Sequence, residues 1–374
     1  MIKKLFVVSV VVSFVSCSGL SSDKNEPINN EISSTLSDSN SIVLDKSLGE
    51  KLYPDELNVT NQIEKALISS LEKEYPLGTT VKRDAHGKHH GCVKATFKVT
   101  NTSLNSSLKT GVFSENNKEF KSWIRFSNGR SKNDTEADVR GMAIKLMGVE
   151  GQKILSEESN EKTQDFLMIN NSTMFINDLN DYVDLTNAIS SGGIAKFALM
   201  HPKIAYNIYK ATSKKVDNPL STDYFSTTPY KLGNNAIKFK VKPCSTVQSK
   251  SSDKSPDFLR NALSSSLNKA ESCFDFMIQT RKGSYTDMPI EDSLVDWSPE
   301  VSPFITVAKI TIPKQSFETK EQMDFCENLS YTPWHSLPEQ KPLGSLNRVR
   351  KQVYTAISKY RHNKNNQPRK EPTE

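Results

Sequence analysis

Six short segments with strand character are spread between residues 93 and 312, and no regular strand–helix alternation accompanies them. They cover residues 93–100, 123–127, 141–147, 236–242, 274–280 and 304–312. In the fourth, Ile237, Phe239 and Val241 alternate with Lys238, Lys240 and Lys242, the pattern of a half-buried strand with a basic outer face. Parallel strands need long crossovers, usually helical, so strands that do not alternate with helices are expected to pair antiparallel. Helical patterns lie outside and between them, at 56–75 (Ile63, Leu67 and Leu71 on one face), 193–213, 255–268 and 348–362. The fold class is therefore α+β, built on an antiparallel sheet. A body of about 310 residues is large for one domain yet acceptable for a barrel, with room for a buried cofactor.

The two ends differ from this body. Residues 1–17, MIKKLFVVSVVVSFVSC, pair a basic start with an apolar run too short to span a bilayer. Small residues precede Cys17, the layout of a lipoprotein-type signal with lipid on the Cys17 thiol. That predicts export to the periplasm or cell surface and membrane anchoring; the rival is an unlipidated exported protein. Residues 18–47 are Ser-, Asn- and Asp-rich and read as a flexible polar tether. The globular body is expected over 48–362, with a polar tail at 363–374. The formal charge of +6 is spread rather than clustered, which excludes a nucleic-acid footprint. Cys92, Cys244, Cys273 and Cys326 contain no CxxC pair and form one or two disulfides or remain buried thiols.

Residues 348–362, RVRKQVYTAISKYRH, contain no Gly or Pro and place Arg350, Tyr354, Ser358 and Arg361 on one helical face. A guanidinium one turn before a phenol favours the phenolate by charge attraction, which makes Tyr354 a candidate ligand for ferric iron. Further upstream, Arg83, His86, Lys88 and Gly91 form the pattern R-x-x-H-x-K-x-x-G. WIRFSNGR follows at 123–130, DVRGMAIKL at 138–146 and DFLMINNSTMFIND at 165–178. In this order and spacing the set resembles the haem-binding core of the catalase superfamily, in particular its smaller catalase-related peroxidases, from Glu50 to His362.

The resemblance implies a closed antiparallel barrel with surrounding helices and haem b as cofactor. It implies Tyr354 as axial ligand of the haem iron, with Arg350 stabilising its phenolate. His86 matches the distal base, Asn170 the amide that orients peroxide, and Ser127 the hydroxyl that fixes the imidazole. Arg83, Arg125 and Arg361 match arginines at the haem propionates, and Phe175 is expected to line the distal pocket. On the residues alone, His89 or His90 could serve as the base, or His86, His89 and His90 could bind a metal ion. The implied activity is that of a peroxidase or catalase, reducing hydrogen peroxide or organic hydroperoxides through a ferryl intermediate and protecting against oxidative stress. A second peroxide or an organic reducing donor would complete turnover. The chain stops soon after the Tyr354 helix, where larger catalases continue, which favours the peroxidase outcome. Ala85 stands where catalase-related allene oxide synthases carry Thr, so fatty-acid hydroperoxide conversion ranks lower. The non-enzymatic alternative is a haem carrier or sensor lipoprotein.

Overall fold

A computed structural model describes residues 42–244, 253–284 and 286–373. The chain divides into Met1–Val43 and Leu44–Glu374. The signal segment and most of the tether lie outside the described residues. Residues 44–47, placed in the tether by composition, belong to the second unit, where Asp45 pairs with Lys231 at 2.7 Å. Among the described residues, no helix is long and apolar enough to cross a membrane.

The strands are β1 (His89–Val99), β2 (Glu119–Asn128), β3 (Arg140–Met147), β4 (Thr163–Ile169), β5 (Tyr224–Phe225), β6 (Tyr230–Leu232), β7 (Asn235–Pro243), β8 (Ser272–Thr280) and β9 (Ile305–Ile312). They form one sheet in the order β5-β4-β3-β2-β1-β9-β8-β7-β6, with antiparallel neighbours. In β5, Phe225 pairs with Ile169 of β4, and Tyr224 and Phe225 pair with β7, so the eight strands other than β6 close on themselves. The expected α+β class with a closed antiparallel barrel is what the chain adopts. Alternation assigns the faces: Ile124 and Phe126 of β2 point into the core, and Trp123, Arg125 and Ser127 point out. Phe97, Phe113, Phe166, Phe239 and Phe276 fill the interior, with ring centroids 5.2 Å apart for Phe97–Phe276 and 4.9 Å for Phe166–Phe276. A core packed in this way leaves no space for a large ligand, so a cofactor site has to lie outside the barrel wall.

Helices α1 (Glu56–Glu74), α2 (Leu179–Ser191), α3 (Ile194–Met200), α4 (Pro202–Thr212), α5 (Phe258–Leu267), α6 (Lys320–Asn328) and α7 (Ser345–Lys364) surround it. The single helix expected over 193–213 is two, because Pro202 cannot donate into a continuing helix and starts α4 instead. Val59, Ile63 and Leu67 of α1 pack against Val349 and Val353 of α7 and Leu179 and Val183 of α2. The start of α7 is also fixed by charge. Arg348 meets Glu56 at 2.7 and 2.9 Å and Glu50 at 2.7 Å, all buried. Lys238 departs from the exposed basic face expected of β7: it is buried, donates to the Val295 carbonyl at 3.1 Å and lies 5.3 Å from the centre of the Trp297 ring. Disulfides join Cys92 on β1 to Cys326 on α6 and Cys244, just past β7, to Cys273 on β8, which settles a pairing the sequence left open.

Candidate active site

The outer faces of β2 and β3 supply the floor on which His86 rests. His86 adopts a left-handed backbone conformation, φ 61°, which residues with a side chain seldom take without support. Three contacts hold it. Its amide donates to the Gly129 carbonyl at 2.5 Å, its carbonyl accepts from Arg125 at 2.8 Å, and its Nδ1 lies 3.0 Å from Ser127 Oγ. Ser127 pairs in register with Gly141. A Cβ on Gly141 would sit 2.5 Å from His86 Nδ1 and 2.8 Å from Ser127 Oγ, so only glycine lets the imidazole lie against the strand. Burial, followed by the charge of Arg125, pushes the imidazole down to about 4. It is therefore neutral near pH 7, and the Ser127 contact leaves Nε2 as the working nitrogen.

Asn170 follows β4 and is fixed to the same end of β3. Its backbone N–H donates to the Arg140 carbonyl at 2.9 Å, and its Oδ1 accepts from the Arg140 N–H at 2.7 Å. The Asn170 Nδ2 is buried with no partner, an available donor. Asn171 instead closes a local turn, donating to the Thr173 carbonyl at 2.8 Å. The rival histidines point elsewhere. His89 lies 3.6 Å from Glu327 and 3.5 Å from the sulfur of Cys326, and buried His90 faces Asp134 at 3.7 Å. The three do not converge on a common point as metal ligands would.

Tyr354, half-buried on α7, accepts from Arg350 at 3.3 Å. Arg350 is itself steadied by Asn347 Oδ1 at 3.0 Å. Its charge is one of those that depress His86, which puts the α7 pair within electrostatic reach of the imidazole. Tyr182 of α2 is half-buried close by; burial first, then Asp84 and Tyr354, push its phenol up to about 12, keeping it a neutral donor. Phe175 is half-buried and packs in a cluster with Ile176, Leu185 of α2 and Phe197 of α3, which Tyr182 also borders.

Arg83 and Arg361 gather around one carboxylate, with Arg125 within reach of its charge. Glu327 of α6 takes Arg83 at 3.1 Å and lies 3.9 Å from Arg361, whose Nη1 also donates to the Glu327 carbonyl at 2.6 Å. Burial and then the charge of Arg83 push both Arg125 and Arg361 down to about 9. Three guanidinium groups against one carboxylate leave the cluster short of negative charge, which is the electrostatics of an anion site. Glu327 escaped the sequence reading because 244 positions separate it from Arg83 and only the fold joins them. Gly141 lay within a recognised block, but its role depends on the imidazole it faces.

No protein-family model matches the chain, and no curated protein matches it. Solved structures do. Catalase A from Saccharomyces cerevisiae superimposes with a TM-score of 0.60 at 19% identity, covering 76% of this chain and 62% of that one. A fungal catalase gives 0.60 at 17% identity over 76% and 60% of the two chains, and a bacterial catalase 0.56 at 16% over 89% and 67%. The chain has a catalase-like fold. It spans about three fifths of the length of the first two catalases, 62% and 60%.

Proposed function

We propose that this protein binds haem b between the outer face of β2–β3 and α7 and acts as an oxidoreductase that reduces hydrogen peroxide or organic hydroperoxides, a small peroxidase built on the catalase fold. The observation that carries the reading is His86, neutral and held by Ser127 against a strand position where only glycine fits. The chemistry of the other residues suits haem as well. Tyr354 would offer its phenol oxygen as the iron ligand with Arg350 beside it as counter-charge, and Arg83, Arg125 and Arg361 offer excess positive charge for two propionates.

When bound, ferric haem would supply the electrons that break the peroxide O–O bond. The protein's own part is proton handling and alignment. His86 Nε2 would take the proton from one peroxide oxygen and return it to the departing oxygen, which leaves as water. The free Nδ2 of Asn170 would donate to peroxide and hold it in line. Ser127 fixes the ring so that Nε2 faces the substrate. An organic donor or a second peroxide would return the two electrons. Our reading also includes export and anchoring through lipid on Cys17, in line with the opening seventeen residues.

The test is the absorption spectrum of the purified protein supplied with haem, before and after one equivalent of hydrogen peroxide. The expected result is a ferric, tyrosinate-ligated spectrum that changes on peroxide addition and returns with an organic donor. A haem spectrum indifferent to peroxide would indicate a carrier or sensor, and a folded protein that takes up no haem would overturn the proposal.

A further inference from the structure

Helices α3 and α4 carry apolar side chains on two sides. Phe197, Ile204 and Ala211 are buried, and with half-buried Ile208 this side covers Phe175 and Tyr182. A surface helix normally turns polar residues the other way. Here Leu199 is 83% exposed, Met200 65%, Tyr206 64% and Tyr209 61%. Helical spacing puts 203, 206 and 210 in one stripe with 202 and 209 beside it, so Tyr206 and Tyr209 share that stripe with Lys203 and Lys210. Lys196 accompanies Leu199 and Met200 on α3. Between Leu185 and Val216 the sequence contains five lysines and no Asp or Glu. One of them, Lys214, is engaged with the Asn170 carbonyl at 3.2 Å. The carboxylates of α2, Asp181 and Asp184, lie 3.2 and 3.5 Å from the His201 ring.

We propose that this face seats the folded body on an anionic lipid surface. Leu199, Met200, Tyr206 and Tyr209 enter the headgroup region, and Lys196, Lys203 and Lys210 meet lipid phosphates. Exposed Leu and Met beside amphipathic tyrosines, rimmed by cations of one sign, match the chemistry of an interfacial helix. The same lysines argue against a second copy as occupant, because a symmetric pairing would set like charges against each other. A cationic apolar face adds a contribution to membrane attachment that is separate from any lipid on Cys17. The proposal stands independently of the haem reading.

The experiment uses the full chain carrying Cys17→Ser, so that no lipid is attached, floated with vesicles of ~7:3 phosphatidylcholine to phosphatidylglycerol. It is compared with the same chain bearing Leu199→Ser, Met200→Ser, Tyr206→Ser and Tyr209→Ser. Both keep the N-terminal apolar run, so the difference isolates the α3–α4 face. The parent should float, and its partition should fall about tenfold in the quadruple variant, in Lys196→Glu/Lys203→Glu/Lys210→Glu, and on pure phosphatidylcholine. Circular dichroism and melting should be unchanged, since the altered side chains are exposed. Equal flotation of parent and variants, or a parent that does not float, would overturn the proposal. So would a parent dimer in sedimentation that the quadruple variant dissolves without a change in flotation.

Discussion

A histidine that protonates only near pH 4 remains a base throughout the ordinary range, and this gives His86 a measurable signature. The unfolded chain protonates this group near 6.5 and the folded one near 4, so below 6.5 the unfolded state takes up the proton first. The contribution of His86 to stability is intact above 6.5 and declines as pH falls toward 4. In His86→Gln the melting temperature should therefore depend less steeply on pH across that interval, as calorimetry at several pH values would read. Peroxide reduction in the same variant should fall by about 10²–10⁴ with haem content retained. Tyr354→Phe should do the reverse, keeping the circular dichroism of α7 and losing the tyrosinate spectrum or the haem itself. Much of this constellation was legible beforehand because each block carries its residues within a few positions, as Ser127 and Arg125 do in RFSNG. What joins different blocks was not: the Glu327 carboxylate among the arginines and the seat for His86 on Gly141 are products of register and packing.

Among the elements, β1, β2, β3, β7, β8 and β9 were readable in the sequence, and β4 was not. In β4 both Asp165 and Phe166 are buried, since Asp165 pairs with Lys145 outside the wall at 2.7 Å while Phe166 enters the core. The period-two signal of hydrophobicity is thereby weakened. Helix α2 is polar, and its clearest sequence mark is its N-cap, Asp178, which accepts from Asn180 at 2.9 Å and Asp181 at 3.2 Å. Helix α7 was recognised from its face but not for what anchors it. Arg348→Ala would leave Glu50 and Glu56 buried without their main counter-charge, and we expect a loss of about 3–5 kcal/mol in chemical denaturation. The same substitution should leave the site residues chemically intact, so haem uptake at low denaturant should persist.

For the molecule as a whole, the polar tail proves to be an integral part. Glu371 reaches buried Lys145 at 2.6 Å and Thr163 at 2.8 Å, and Arg369 pairs with Glu371 at 2.6 Å and with Glu158. Burial opposes the charge of Glu371, yet Lys145, His335 and Arg369 outweigh it and hold the carboxyl down to about 2. Its stabilisation is thus complete above 4.5 and is lost as pH falls toward 2. Glu371→Gln should lower stability by about 3 kcal/mol at neutral pH, read from urea midpoints, with the difference from the parent shrinking in acid.

The reach of this tail also sets a clock on the making of the molecule. Lys145 emerges from the ribosome 226 residues ahead of Glu371, an interval of about 10–45 s at ordinary elongation rates. During that interval the barrel wall carries an ammonium group whose full set of counter-ions has not been synthesised. Completion of the fold is thereby deferred until residue 371 has been made, and the chain remains open to whatever handles unfinished proteins until that carboxylate arrives.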